Sequence, residues 1–169
     1  MLEDIIGRKI ILRKPRMSDV NPMLSLVTDP HISQWLHLPP FFGERDAAHH
    51  IRIWLQDWNN EWAYHYSILR KGQFVGMIAV EPRDTPRAEL GYWIGGKFSG
   101  KGFATEAALL LTSASFKKLP IRELYAQVSQ ENTASRRILQ KIGMNVYKKE
   151  TDELEYALKK SDYRKLRAV

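Results

Sequence analysis

The sequence predicts a single domain, residues 1–169, of α/β class with a mixed sheet and helices on both faces. A chain of this length accommodates one domain of ordinary size. It contains no internal repeat and no long Gly/Ser/Pro linker. Three successive strand-like segments in the middle are followed by alternating strands and helices. That order favours antiparallel hairpins joined to a β-α-β-α-β unit.

The first elements are a predicted strand and a predicted short helix. Residues 8–14 have strand character, and Pro15 ends the segment. Residues 18–28 are predicted to form a helix, with Asn21 as its cap and Pro22 at the first helical position.

A loop and a longer helix are predicted next. Residues 31–43 are rich in proline and aromatic side chains, which is typical of a loop. A helix over 44–60 follows from apolar residues at helical spacing. That stripe consists of Ala47, Ile51, Trp54, Leu55 and Trp58.

The rest of the chain is predicted to form six strands and two helices. With the preceding elements, the order along the whole chain is β-α-α-β-β-β-α-β-α-β-β. Lys71-Gly72 is expected to form a tight hairpin turn, and residues 82–86 the next connection. One helix should run from Gly102 to about Lys118, and another should end at Gly143. The predicted strands are 64–69, 74–80, 88–94, 121–128, 144–147 and 154–158, and the second helix is 132–142.

Composition excludes several classes of protein. The chain has no cysteine, so disulfide scaffolds, thiolate zinc sites and thiol nucleophiles are excluded. No apolar run approaches the roughly 20 residues that span a bilayer, and no secretory signal is recognisable, so we expect a cytoplasmic protein without a membrane partner. The net charge of +7 favours nucleic acid, an acidic surface or a phosphorylated cofactor. The basic residues 159–167 fit a solvated helix end or a tail that contacts RNA.

Residues 95–102, Gly-Gly-Lys-Phe-Ser-Gly-Lys-Gly, join a strand to a helix. Glycines permit tight turns, and a helix N-terminus offers unpaired N–H groups that hold phosphates. Lys97 and Lys101 add positive charge, although a plain tight turn explains the same glycines. Downstream, Asn132 is a natural helix cap, and Ser135 is also placed to satisfy an N-terminal backbone group.

Four segments together resemble the GCN5-related N-acetyltransferases (GNAT), particularly their ribosomal-protein N-terminal acetyltransferase branch. The segments are Glu89-Leu-Gly-Tyr-Trp-Ile-Gly, Lys97-Phe-Ser-Gly-Lys-Gly-Phe-Ala-Thr-Glu-Ala, Asn132-x-x-Ser135 and Lys141-Ile-Gly143, and they span about a third of the chain. The family signature Gln/Arg-x-x-Gly-x-Gly/Ala is met at Gly100 and Gly102, with Lys97 in the first place. The family fold is a mostly antiparallel, twisted sheet.

The resemblance implies acetyl-CoA as cosubstrate and direct transfer to an amine. Backbone N–H groups of the glycine turn would hold the pyrophosphate, and the preceding strand would pair with pantetheine and polarise the thioester carbonyl. Asn132 would bond the cofactor near its pantetheine. The implied cofactor-binding residues are Trp93, Ile94, Lys97, Phe98, Ser99, Gly100, Lys101, Gly102, Phe103, Ala104, Asn132 and Ser135.

Two residues are candidates for proton transfer. Glu89 is expected to be the base that deprotonates the amine, and the alternative is a structural pairing with Arg87 or another arginine. Glu106 fits a structural place in the first helical turn. Many family members carry a tyrosine where this chain has Leu139, so Ser135 or solvent is expected to protonate the thiolate.

The five histidines lack metal-binding spacing, so no metal site is expected. Residues of the 31–43 loop either line an acceptor pocket or simply pack over the sheet. Those candidates are His31, His37, Trp35, Phe41 and Phe42.

The sequence therefore predicts an acetyl-CoA-dependent N-acetyltransferase whose acceptor is a primary amine, either a protein N-terminus or a small molecule. Nucleic acid is not required. The alternative is an inactive, basic domain of the same fold that binds RNA or the ribosome. The sequence leaves a homodimer open.

Overall fold

The computed structural model describes residues 1–36, 38–84 and 86–166. The strands are β1 (Asp4–Ile6), β2 (Ile11–Arg13), β3 (Tyr64–Arg70), β4 (Gln73–Asp84), β5 (Arg87–Ile94), β6 (Glu123–Ser129), β7 (Asn145–Lys149) and β8 (Glu153–Lys159). The helices are α1 (Val20–Val27), α2 (Pro30–Ser33), α3 (Glu44–Asn59), α4 (Phe103–Lys118), α5 (Thr133–Lys141) and α6 (Lys160–Leu166).

The strands form one eight-stranded sheet in the order β1-β2-β3-β4-β5-β6-β8-β7. The pairing of β5 with β6 is parallel, and every other neighbouring pair is antiparallel. Helix α4 connects the parallel pair. The predicted mixed, mostly antiparallel sheet is confirmed.

Helices cover both faces of this sheet. On one face, Ser67 of β3 donates to Asp19, which lies just before α1, and His65 stacks on Trp54 of α3. On the other face, Tyr92 of β5 bonds Ser135 of α5. Since neighbouring strand residues point to opposite faces, both faces of the central strands are buried. Residues 64–68 and 74–80 are accordingly buried without interruption.

The N-terminal predictions require correction. Residues 8–14 do not form one strand, because the backbone turns between β1 and β2, where the Gly7 N–H donates to Ile10 O at 2.9 Å. Helix α1 begins at Val20, so Asn21 is not its cap and Pro22 is not its first residue. Pro22 is tolerated because the first-turn N–H groups of a helix lack intrahelical acceptors in any case.

Three further segments differ from the prediction. Within the predicted loop, Pro30–Ser33 is helical, and Asp29 caps it by accepting from the His31 N–H at 3.0 Å. Strand β4 continues through Pro82 to Asp84, with a register shift that accommodates a residue lacking an N–H. Of the basic segment 159–167, Lys160–Leu166 form α6, in which the Tyr163 ring packs on Phe116, and residue 167 lies outside the described residues.

The remaining predicted elements are confirmed within one or two residues at most ends. The apolar stripe of α3 faces the core, where Ala47, Ile51 and Trp58 are buried. Trp54 and Leu55 pack against that core while partly exposed. Among the described residues, no helix has both the length and the apolar character needed to cross a membrane.

Candidate functional site

A V-shaped cleft opens between the parallel strands β5 and β6. They are paired at three positions, Arg87–Glu89 with Glu123–Tyr125. Beyond Glu89, β5 stays paired with β4, and β6 stays paired with β8. The facing edges of residues 90–94 and 126–129 therefore diverge, and their backbone groups can pair with an extended ligand.

Arg87 closes the narrow end of this cleft. Its guanidinium donates to Glu123 at 2.6 Å and to Glu155, and it lies 4.5 Å from the centre of the Tyr125 ring. These contacts tie β5 to both β6 and β8. The position at which the strands separate is thereby fixed.

The wide end of the cleft leads to the glycine turn. Gly100 (φ 73°) and Gly102 (φ 80°) have left-handed backbone conformations, which glycine adopts without strain. A Cβ on Gly100 would meet no atom within 4 Å, so the surface above it is open. No side chain caps the N-terminus of α4. Its first N–H groups are therefore suited to bind phosphate oxygens.

Four cations surround the turn. The ammonium groups of Lys97 and Lys101 lie 5.2 and 5.7 Å from the Phe98 ring centre. Lys9 Nζ lies 3.4 Å from Lys101 O, and Arg70 lies over the Phe103 ring at 5.9 Å. The uncapped N–H groups at the start of α4, together with these four positive charges, are suited to bind a diphosphate. Sequence reasoning missed Lys9 and Arg70, because both are distant along the chain and neither belongs to a motif.

At the start of α5, Asn132 caps the helix by accepting from the Ser135 N–H at 3.0 Å. Tyr92 Oη donates to Ser135 O at 3.1 Å and lies 3.0 Å from the Ser135 hydroxyl, a contact in which either oxygen can be the donor. Burial raises the pKa of Tyr92 to about 12, although the bond to Ser135 opposes this shift. Leu139 is buried in the core. Sequence reasoning missed Tyr92, although strand alternation places it on the face opposite Trp93.

Glu89 lies at the point where the cleft opens. Its register partner on β4 is Glu81, and Tyr125 Oη donates to Glu89 Oε2 at 3.5 Å. The carboxylates of Glu81 and Glu89 therefore lie on one sheet face, opposite to the face of Tyr92. Glu106 has a structural contact, since Oε1 accepts from the Lys9 backbone N–H at 2.9 Å.

A ladder of aromatic rings leads to the same face. Ring centres are 5.6 Å apart for Phe42 and His50, 5.8 Å for His50 and Trp54, and 5.0 Å for Trp54 and His65. Burial, with His49 nearby, lowers the pKa of His50. His65 is in register with Ala79, which pairs in turn with Gly91 of β5. The ladder therefore reaches a part of the sheet that carries small side chains.

The other predicted acceptor residues lie apart from this ladder. Phe41 is fully exposed, Trp35 is partly exposed, and the His31 side chain lies beside Gly96. His37 lies outside the described residues. Within the described ranges, no group of three His, Asp or Glu residues is placed to hold a metal ion.

Comparisons with known proteins agree with the fold and with the glycine turn described above. Residues 9–145 match the family model described as "Acetyltransferase (GNAT) domain". The N-acetyltransferase p20 of Bacillus licheniformis is 29% identical over 143 residues, covering 82% of this chain and 80% of p20. YdaF of Bacillus subtilis, provisionally named a ribosomal N-acetyltransferase, is 28% identical over 142 residues, covering 79% of this chain and 75% of YdaF.

Solved structures share the fold. RimL, described as a ribosomal L7/L12 alpha-N-protein acetyltransferase in complex with coenzyme A, superposes with a TM-score of 0.85 at 19% identity, covering 93% of this chain and 98% of RimL. The microcin C7 self-immunity acetyltransferase MccE, in complex with acetyl-CoA and AMP, has a TM-score of 0.81 at 21% identity. The match covers 90% of this chain and 93% of MccE. The chain belongs to the GNAT family, and it is an N-acetyltransferase that uses acetyl-CoA.

Proposed function

We propose that this enzyme acetylates the α-amino group of a polypeptide N-terminus. The observation that carries the proposal is the cleft between β5 and β6, which connects the cationic glycine turn to the carboxylates of Glu81 and Glu89. The names of YdaF and RimL, which refer to ribosomal acceptors, support a polypeptide over a small amine.

The glycine turn and the edge of β5 are the proposed cofactor-binding elements. Acetyl-CoA supplies an acetyl group activated as a thioester. Backbone N–H groups of residues 98–104, with Lys97 and Lys101, would hold its diphosphate, and the β5 edge at Trp93 and Ile94 would pair with the pantetheine amides. Since Asn132 uses Oδ1 to cap α5, its amide N–H groups stay available as donors to the cofactor.

Glu89 is the proposed general base. An acceptor amine is protonated at neutral pH, and it must lose a proton before its lone pair can attack. The neighbouring carboxylates of Glu81 and Glu89 would attract the ammonium group, and Glu89 would accept its proton directly or through water. Tyr125 Oη, which donates to Glu89 Oε2, would hold that carboxylate in place.

Ser135 and Tyr92 are the proposed donors to the departing thiolate. A tyrosine hydroxyl is protonated at neutral pH, and burial, which raises the pKa of Tyr92 to about 12, favours that protonated form further. The single Tyr92 proton can be donated either to Ser135 O or to Ser135 Oγ, and when Oγ accepts it, the Ser135 proton is free to point into the cleft. The pair could therefore take the part of the family tyrosine that Leu139 replaces.

The acceptor side of the cleft is the proposed peptide site. Glu89, Gly91 and Trp93 share the sheet face to which the aromatic ladder leads, so an extended N-terminus could place its amine at Glu89 and its first side chain against Trp54. The net charge of +7 opposes the approach of a polycation, but Glu81 and Glu89 make this side of the cleft acidic, so the net charge does not decide between a peptide and a polyamine.

The first test is calorimetric titration with acetyl-CoA at low and moderate salt. We expect saturable binding at one site in both. The second test measures the release of free thiol from acetyl-CoA in the presence of peptides that carry a free N-terminus. The control peptides have the same sequence with a blocked N-terminus and a free lysine. The enzyme has no cysteine, so the released CoA is the one thiol in the assay.

Each outcome has a definite meaning. Activity on free N-termini alone supports the proposal. Activity on small amines alone would contradict it and indicate a small-molecule acetyltransferase. Absence of acetyl-CoA binding, with salt-sensitive binding of RNA, would indicate an inactive ribosome-binding domain. Light scattering of the same sample would distinguish a monomer from the homodimer.

A further inference from the structure

The turn between β1 and β2 is anchored to the first turn of α4. Glu106 Oε1 accepts from the Lys9 backbone N–H at 2.9 Å. A Cβ on Gly7 would lie 2.5 Å from that same oxygen, so any larger residue there would displace the Glu106 carboxylate from its present position. Residues that are almost 100 positions apart are thereby held together, and the position of Lys9 relative to the glycine turn is fixed.

The side chain of Lys9 extends to the glycine turn. Its Nζ lies 3.4 Å from Lys101 O and 3.6 Å from where a Cβ on Gly102 would be. Arg70 is beside it, with Nη1 3.4 Å from Lys9 O and its guanidinium over the Phe103 ring. The ammonium groups of Lys97 and Lys101 both lie over Phe98, so the turn carries two cation pairs, Lys97 with Lys101 and Lys9 with Arg70.

A groove of about 1040 Å³ begins at Gly102 and continues between α4 and the N-terminal hairpin. Arg8 and Lys9 contribute positive charge to its lining, and Ile6 and Leu109 contribute apolar surface. The carboxylate in this lining is Glu106, which already accepts from Lys9. The groove therefore suits a ligand with an apolar ring system and a negatively charged group.

Coenzyme A has two separate phosphorylated positions, the diphosphate and the 3′-phosphate of the ribose. The proposed function assigns the diphosphate to the backbone of the glycine turn with Lys97 and Lys101. We propose that the second cation pair, Lys9 with Arg70, binds the 3′-phosphate, and that Glu106 is a positioning residue for Lys9. This inference rests on the proposed cofactor site and extends it to the nucleotide end of the cofactor.

The test compares the affinities of CoA and 3′-dephospho-CoA by calorimetry at one ionic strength. The wild-type enzyme should bind CoA about tenfold more tightly, as expected for charge-assisted hydrogen bonds to one phosphate. Lys9→Met should remove most of this preference by weakening CoA alone, and Lys9→Arg should keep it. The matched control is Lys149→Met, an exposed lysine on β7 at the opposite end of the sheet.

Variants of Glu106 test the positioning role. Glu106→Leu removes the acceptor and should lower the preference for the 3′-phosphate, whereas Glu106→Gln keeps an acceptor oxygen and should retain it. Circular dichroism melting confirms that each variant is folded.

Three results would overturn the inference. Equal affinity of the wild-type enzyme for the two ligands would show that the 3′-phosphate is not recognised. Equal weakening of both ligands by Lys9→Met would place Lys9 at the diphosphate, and loss of preference in Lys149→Met would indicate a general charge effect. Failure of the wild-type enzyme to bind either ligand would instead contradict the proposed function on which the inference rests.

Discussion

Glu89 and Tyr125 face each other across the last paired position of β5 and β6, and Tyr125 Oη donates to Glu89 Oε2 at 3.5 Å. The strands diverge directly beyond this pair. The proposed base therefore lies at the inner end of the cleft, where a thioester that enters between the strands would meet an amine from the acceptor face.

Glu89→Gln should lower kcat at neutral pH by about 100-fold, the usual contribution of a general base, because the amide cannot accept a proton. Affinity for acetyl-CoA should stay almost unchanged, since the proposed cofactor contacts of the glycine turn do not involve Glu89. Steady-state kinetics with calorimetry measure both quantities. Glu3→Gln, an exposed carboxylate on the hairpin side, is the control. Full activity of Glu89→Gln would remove Glu89 as the base.

Gly102→Glu should abolish measurable binding of CoA while the fold is retained. The substitution places a negative charge at the proposed diphosphate site and a side chain at a left-handed φ of 80°. Gly72→Glu has the same charge at a similar φ of 78°, with no atom within 4 Å, so it controls for backbone strain. Unchanged CoA affinity in a folded Gly102→Glu enzyme would contradict the location of the diphosphate.

Tyr92→Phe and Ser135→Ala should each lower kcat, by about tenfold, and the double variant should be no worse than the more impaired single one. Groups that act as one unit give such non-additive effects. Single-turnover kinetics isolate the transfer step. Tyr147→Phe, which removes an exposed hydroxyl, is the control. Additive losses would show that the two hydroxyls act independently.

The raised pKa of Tyr92 also predicts a pH dependence of stability. Below about pH 10, Tyr92 is neutral in both the folded and the unfolded states, and its contribution is fully present. Between pH 10 and about 12, the unfolded tyrosine ionises first, which lowers the free energy of unfolding by about 2–3 kcal/mol. Urea unfolding across this pH range should show that the free energy of unfolding falls less in Tyr92→Phe than in the wild-type protein. Equal losses in both proteins would contradict the shift.

Arg87→Met should destabilise the protein by about 2 kcal/mol, because it leaves the largely buried carboxylates of Glu123 and Glu155 without their cation. It should also raise the KM for acetyl-CoA, since the narrow end of the cleft loses the ion pairs that join β5 to β6 and β8. Urea unfolding and steady-state kinetics measure the two effects. A free energy of unfolding within about 0.5 kcal/mol of the wild-type value, the range of ordinary surface substitutions, would show that these ion pairs are dispensable for stability.

Local patterns predicted most of the elements. The stripe of α3, the Asn132 cap of α5 and the glycine turn before α4 are each encoded by neighbouring residues. The N-terminal hairpin was missed because strand-like residues continue on both sides of Gly7. Part of the support for the turn there comes from Glu106, which is far away in the chain and accepts from the Lys9 N–H.

The sequence by itself determined the family, the cosubstrate and the turn that the family resemblance assigns to phosphate, because these depend on short segments with characteristic spacing. The tertiary structure decided which residues meet. Tyr92 reaches Ser135, Lys9 reaches Lys101, and Arg87 joins Glu123 to Glu155 only because the sheet order brings distant strands together. Side-chain hydrogen bonds act over about 3 Å, so a one-dimensional pattern cannot specify partners that only folding places within that distance.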